Sequence, residues 1–238
     1  TIDASQWRKM NLSSTKLRFL AKQLQPSVLR VGGTQEDYDI YQFGSFANFN
    51  CKDVLSPMTT YRCKTINQTQ WQSLVNFANT INASLVYGLN DLFGRPTKTK
   101  PETKQCNDNC PPRNMSNVEA FLKWNIKNMP LDTVHGWELG NELNSYFNSN
   151  KGAKEQSKDL RTLRSLVDDL YNETEYKPLI IGPDTHSSAE FSKIGLEWLN
   201  TFSQASFTDN NHHNHNHHHN NDNDKSNAID ILTFHMYS

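Results

Sequence analysis

The stretch HGWELGNELNSY, residues 135–146, opens as a buried strand would and closes on Gly140-Asn141-Glu142, a kink followed by an amide and an acid. A solvated loop carries Glu and Asn at no cost. A strand covered on both faces cannot, unless its end opens into a site, because an unpartnered buried polar group costs on the order of 1–3 kcal/mol. The flanking sequence decides between the two.

Four further apolar, β-branched runs resemble this one: Val28–Gly33, Leu85–Asn90, Leu179–Asp184 and Ile229–Tyr237. They are continuous rather than alternating, as in a parallel sheet covered on both faces. Helical patterns lie between them. Ser14–Leu24 sets Leu17, Leu20 and Leu24 on one face behind a serine cap. Trp71, Leu74, Phe77 and Ala78 form a second stripe, Val118–Ile126 a third, Leu160–Leu170 a fourth and Glu190–Phe202 a fifth.

Run ends fall near residues 33, 90, 141, 184 and 237, a β/α rhythm. With Thr1-Ile2-Asp3 read as the tail of a first strand, lying after any leader, this makes six strands and five helices. Each strand end delivers a polar group: Asp3, Thr34, Asn90 with Asp91, Asn141 with Glu142, Asp184, and His235 with Tyr237. Those ends form the active-site face of a (β/α)8 barrel. A doubly wound sheet binds in one crevice and gives less reason for polar groups at all six. The expectation is therefore an α/β fold, a (β/α)8 TIM barrel. Residues 1–238 supply strands one to six, and a C-terminal remainder of the same protein completes it.

Acidic and basic residues nearly cancel, 25 against 24, which argues against a nucleic-acid role. No apolar run approaches the roughly 18 residues of a membrane helix. Five N-x-S/T sequons, at Asn11, Asn67, Asn82, Asn114 and Asn172, are candidate glycosylation sites. Cys51, Cys63, Cys106 and Cys110 sit among loop-forming neighbours and are disulfide candidates; their spacing fits zinc poorly. Together these point to secretion or an endolysosomal lumen. Residues 95–113 read as a loop insertion. Residues 209–224 hold six of the nine histidines, with no apolar residue to fold around, and read as a disordered insertion rather than a metal site.

Glu142 thereby gains an address at the end of strand four. An acid there, preceded by an amide able to bind a sugar hydroxyl, suits glycoside hydrolysis, which needs one carboxyl kept protonated for the leaving oxygen. Trp137 and Tyr146 are candidate walls or stacking faces. Glu138 reads as a buried structural carboxylate. No cofactor is expected, since two carboxylates suffice.

The same residues carry a resemblance. WELGNELNS at 137–145 is similar to the acid/base motif of the heparanase family of glycoside hydrolases, in which proline usually follows the glutamate. TIDAS at 1–5, LRVGGTQEDY at 29–38, FANTINASLVYGLN at 77–90, IIGPD at 180–184 and IDILTFHMY at 229–237 follow that family's order. The resemblance implies a (β/α)8 barrel with a β-sandwich built from later sequence. It also implies a retaining mechanism on β-linked uronic acid, with a glycan or proteoglycan as partner. It makes Glu142 the proton donor, Asn141 a 2-hydroxyl partner, and Asp3, Thr34, His235 and Tyr237 sugar contacts, with Asp3 beside the acid. Turn-capping roles for Asp3 and Thr34, and packing roles for His235 and Tyr237, are the plainer alternatives.

Departures from the family bear on substrate. Leu143 replaces the proline, which loosens the turn. Thr185-His186-Ser187-Ser188 stands where mammalian heparanases carry an Arg-Arg pair, so highly sulfated heparan is not expected. Lys64 and Arg62 offer the charge nearest strand two. The nucleophile is expected after strand seven, beyond Ser238, so the piece alone is expected to be inactive. A β-glycanase on neutral polysaccharide, or a glycan-binding protein without catalysis, are the competing readings.

Overall fold

The computed structural model describes residues 1–49, 51, 63–92, 113–145, 150–186, 193–207 and 227–235. The histidine-rich tract, nearly all of the 95–113 insertion with Cys106 and Cys110, and Tyr146 and Tyr237 lie outside the described residues.

Among the described residues the chain forms eight strands: β1 (Ile2–Asp3), β2 (Ser27–Gly32), β3 (Asp39–Tyr41), β4 (Lys64–Ile66), β5 (Ala83–Leu89), β6 (Val134–Leu139), β7 (Leu179–Thr185) and β8 (Ile231–Phe234). The α-helices are α1 (Thr15–Lys22), α2 (Gln68–Thr80), α3 (Ser116–Asn128), α4 (Asn150–Leu170) and α5 (Lys193–Ser206). One sheet runs β1-β2-β5-β6-β7-β8, every neighbour parallel. Spatial order equals chain order, with one of the five helices in each crossover. A doubly wound sheet would reverse its order about a switch point. The molecule is six consecutive units of a (β/α)8 barrel, as the rhythm of the runs predicts.

The pleat sorts side chains between two environments. Val31, Tyr87, Trp137, Leu139 and Ile180 join the core between sheet and helices. There Trp71 packs its ring against Tyr87, Phe121 and Trp137, at centroid distances of 4.9, 4.8 and 6.0 Å. Its indole N–H donates to Asn125 Oδ1 at 2.9 Å, so burying the ring strands no donor. The alternate positions Arg30 and Glu138 form an ion pair on the opposite side of the sheet from that core.

Local sequence sets the helix ends. Asn67 accepts from Gln70 N at 2.9 Å while Gln70 returns a bond to Asn67 N, a capping box that starts α2. The Ser14 cap of α1 is present, with Leu17 N donating to its hydroxyl. Three elements differ from expectation. The stripe on α1 is not buried: the helix docks through Leu17 and Ala21, leaving Leu20 54% and Leu24 72% exposed. Helix α4 begins ten residues before Leu160, because Gln156 and Ser157, polar yet fully buried, extend the inward face that Leu160, Leu163 and Val167 continue. The parallel pair β3 and β4 lies between β2 and α2, in a stretch with no strong periodicity, and a Cys51–Cys63 disulfide lies in the same connection. No described helix is long and apolar enough to cross a membrane.

Candidate active site

The end of β6 is fixed by three successive amides that leave in three directions. Gly140 N donates to Leu89 O at 2.8 Å, Asn141 N to the Asp37 carboxylate at 3.1 Å, and Glu142 N to Asp184 O at 2.8 Å. The kink itself requires glycine. Gly140 has φ 73°, and a Cβ there would lie 2.3 Å from Leu143 Cδ1. Leu143 is fully buried beneath it, so the residue replacing the family's proline anchors this turn rather than loosening it.

Glu142 then projects from a left-handed backbone, φ 54°. Its Oε1 lies 2.7 Å from His235 Nδ1, just past β8, and His235 Nε2 lies 2.8 Å from Asp184 Oδ1. The other Asp184 oxygen is ion-paired with Arg30, whose Nε binds Glu138 at 2.6 Å. Side chains of Glu142 and His235 are 15% and 20% exposed, whereas those of Glu138 and Asp184 are 3% exposed.

Charge explains the arrangement. Glu36, Glu138, Glu142 and Asp184 surround one guanidinium, Arg30, and one imidazole, His235. His235 is pushed up to about 9, first by its hydrogen bond to Asp184 and then by that to Glu142. Burial raises Glu138, with Arg30 opposing it. Burial raises Glu36 further, aided by Asp37. Glu36 Oε2 accepts from Gly33 N at 2.8 Å, and Gly88 makes room for the carboxyl, since a Cβ there would lie 1.9 Å from that oxygen.

Of the residues singled out in the sequence, Asn141, Glu142 and His235 gather at one place. Asn141 is buried, and its Oδ1 has no hydrogen-bond partner among the described residues. Asp3, at the end of β1, is exposed and accepts from Ser5 N at 2.7 Å. Thr34 opens a short 3-10 helix, Thr34–Tyr38. Trp137 is not a wall of the site; it is fully buried on the helix side of the sheet, where strand alternation puts it opposite to Glu138. All five sequon asparagines are exposed.

Sequence reading passed over Arg30, Glu36, Asp37 and the pairing role of Asp184. One signal was present: an arginine inside the apolar run VLRVGG must find acids once buried.

The glycosyl hydrolase family 79 N-terminal domain matches residues 3–237. Heparanase-like protein 3 of Arabidopsis thaliana is 30% identical over 73% of this chain and 32% of its own length. Baicalin-beta-D-glucuronidase of Scutellaria baicalensis is 25% identical over 83% and 38% respectively. The chain thus spans about a third of the length of the curated relatives it matches. Among solved structures, the family 44 endoglucanase Cel44A of Clostridium thermocellum has a TM-score of 0.49 at 12% identity, covering 89% of this chain and 49% of that one. With nearly its whole length matched, the chain belongs to glycosyl hydrolase family 79.

Proposed function

We propose that the complete protein is a retaining glycosidase that cleaves β-linked glucuronic acid in a glycan or proteoglycan, with Glu142 as general acid/base. The observation that carries this reading is the placement of Glu142. It is a partly open carboxyl at the end of the fourth barrel strand, beside a buried amide whose oxygen is unfilled. The name of the Scutellaria baicalensis relative, a beta-D-glucuronidase, supports the glucuronide class.

In the first step Glu142 gives its proton to the glycosidic oxygen. The C1–O bond breaks with its electron pair passing to that oxygen, and a carboxylate nucleophile bonds to C1. In the second step the Glu142 carboxylate takes a proton from water, whose oxygen displaces the nucleophile. The nucleophile is a glutamate from sequence beyond residue 238, placed roughly 5–5.5 Å from Glu142 as retention requires. Asn141 binds the 2-hydroxyl. Thr34, Asp3 and Tyr237 contact the sugar, and no cofactor takes part.

Later barrel strands cover the apolar residues exposed on β8, Ile231, Leu232 and Phe234, and residues 1–238 alone are inactive. The protein is secreted or endolysosomal. Glycans on Asn11, Asn67, Asn82, Asn114 and Asn172, mapped by mass spectrometry before and after deglycosylation, are expected.

The test is Glu142→Gln in the complete enzyme. Hydrolysis of glucuronides with poor leaving groups should fall about 10²–10⁴-fold. Activated glucuronides should lose less in their first step, and azide should partly restore turnover with retained configuration. Equal loss on both substrates without azide rescue refutes the acid/base role. Turnover of cellobiosides in place of glucuronides would instead favour a neutral β-glycanase.

A further inference from the structure

Arg30, Asp184 and His235 form a chain of contacts that leads to Glu142, and of these four only Glu142 takes part in the proposed steps. Asp184 is buried, adopts φ 55°, and divides its two oxygens between Arg30 and His235 Nε2. Its amide N–H donates to the Thr233 hydroxyl at 3.2 Å, and its carbonyl accepts from Glu142 N. Backbone and side chain of this one residue therefore both bear on Glu142, directly through the carbonyl and indirectly through the imidazole.

The geometry dictates the protons. A carboxylate at Nε2 makes that nitrogen the donor, so Nδ1 is the atom left to face Glu142. With one proton between Nδ1 and Glu142 Oε1, either the carboxyl is protonated against a neutral imidazole or the carboxylate accepts from an imidazolium. Resting on the acid/base reading of Glu142, we propose that Asp184 is a positioning residue. Through His235 it holds one proton shared on the Glu142–His235 pair, with Arg30 fixing Asp184 in place.

The shared proton serves both half-reactions. Glu142 delivers it to the leaving oxygen in the first and recovers one from water in the second. Between them the carboxylate faces an imidazole whose far side is held by Asp184. The charged and titratable groups facing His235 are Glu142 and Glu138 from β6 and its end, Asp184 from β7 and Arg30 from β2; Glu36 acts on it through Arg30. Arg30 disfavours the imidazolium and the acids favour it, and the balance lies with the acids, raising His235.

The experiment is the pH profile of kcat/KM for a glucuronide, comparing the complete enzyme with Asp184→Asn. Removing the charge at Nε2 should move the alkaline limb about 1–3 pH units toward acid. KM should change less than kcat at neutral pH, because Asp184 is buried away from the sugar. An unmoved limb, or an equal loss at every pH, overturns the proposal. Should Asp184→Asn fail to fold, ¹⁵N-histidine spectra of the wild type decide, with His235 identified by its loss in His235→Gln. A proton retained on Nε2 and titration well above the ordinary histidine range are expected; an Nδ1-H neutral tautomer or an ordinary midpoint overturns it. An enzyme inactive on glucuronides whose His235 titrates as described refutes the substrate class and supports the pairing. One that cleaves glucuronides with an unmoved limb refutes the pairing alone.

Discussion

Glu142 N donates to Asp184 O at 2.8 Å, and both residues are left-handed, with φ of 54° and 55°. Two non-glycine residues in that region, bonded to one another, mark strain held by the ends of β6 and β7 where the chemistry is placed. Glutamine tolerates that backbone about as well as glutamate, whereas a β-branched side chain does not. Denaturant titration of the complete enzyme should show Glu142→Val less stable than Glu142→Gln by about 1–2 kcal/mol. Equal stabilities would mean that the backbone there relaxes freely.

Gly88 and Glu36 form a coupled pair, because a methyl at residue 88 would occupy the space of the buried carboxyl. Gly88→Ala is expected to destabilise by about 1–3 kcal/mol, as overpacking does. Glu36→Ala alone leaves Gly33 N without its acceptor. In the double variant the added methyl meets no carboxyl, so it should be more stable than the sum of the single effects allows. Strict additivity in that double-mutant cycle is the contrary result.

Stability should decline as pH rises. Burial pushes Asp39 up to about 7, with Arg8 opposing it, and hydrogen bonds to Asp184 and Glu142 hold His235 at about 9. Both folded values lie above the unfolded ones, near 3.9 and 6.5. The folded chain therefore holds more protons than the unfolded chain from about pH 4 to 7 and again from about 6.5 to 9. The stability these groups contribute is complete at low pH and lost through those two windows. The Tm of the complete enzyme should fall from about pH 5 to about pH 9; a rising Tm contradicts the burial of Asp39.

The Cys51–Cys63 bridge closes a short loop, with a sequence separation of 12 and Cα atoms 5.5 Å apart. Restricting the unfolded chain over such a loop is typically worth about 2–4 kcal/mol. A Cys51→Ser/Cys63→Ser variant should lose stability in that range, and a non-reducing peptide map of the natural protein should yield the linked pair. Recovery of Cys51 as a free thiol would argue against the bridge.

The barrel was legible because its evidence is periodic. Five apolar runs at regular spacing, each with a polar residue at or just past its end, admit few architectures, and all five have counterparts in the sheet. Glu142 was legible for the same reason, as an acid at the end of a run. Arg30, Glu36 and Asp37 were not. Arg30 and Glu138 lie on different strands, 108 residues apart, and only closure of the sheet brings them together. Polar burial also hid the start of α4, where Gln156 and Ser157 occupy positions that an apolar pattern would have marked. Hydrophobic rhythm records which face turns toward the helices. It says little about the barrel interior, where charge is balanced across strands.

Asp37, in the loop after β2, accepts from Asp91 N at 3.2 Å through one oxygen and from Asn141 N at 3.1 Å through the other. Loops on the upper face of a barrel are often exchangeable, each hanging from its own pair of elements. Here three of them are latched by one side chain, so the segment from Gly33 to Asp39 behaves as a shared part rather than a private one. Loop grafting that replaced it would lose the orientation of the amide preceding the acid, even with every residue of the β6 end retained. Recombination of this barrel with its relatives has to move those loops as a set.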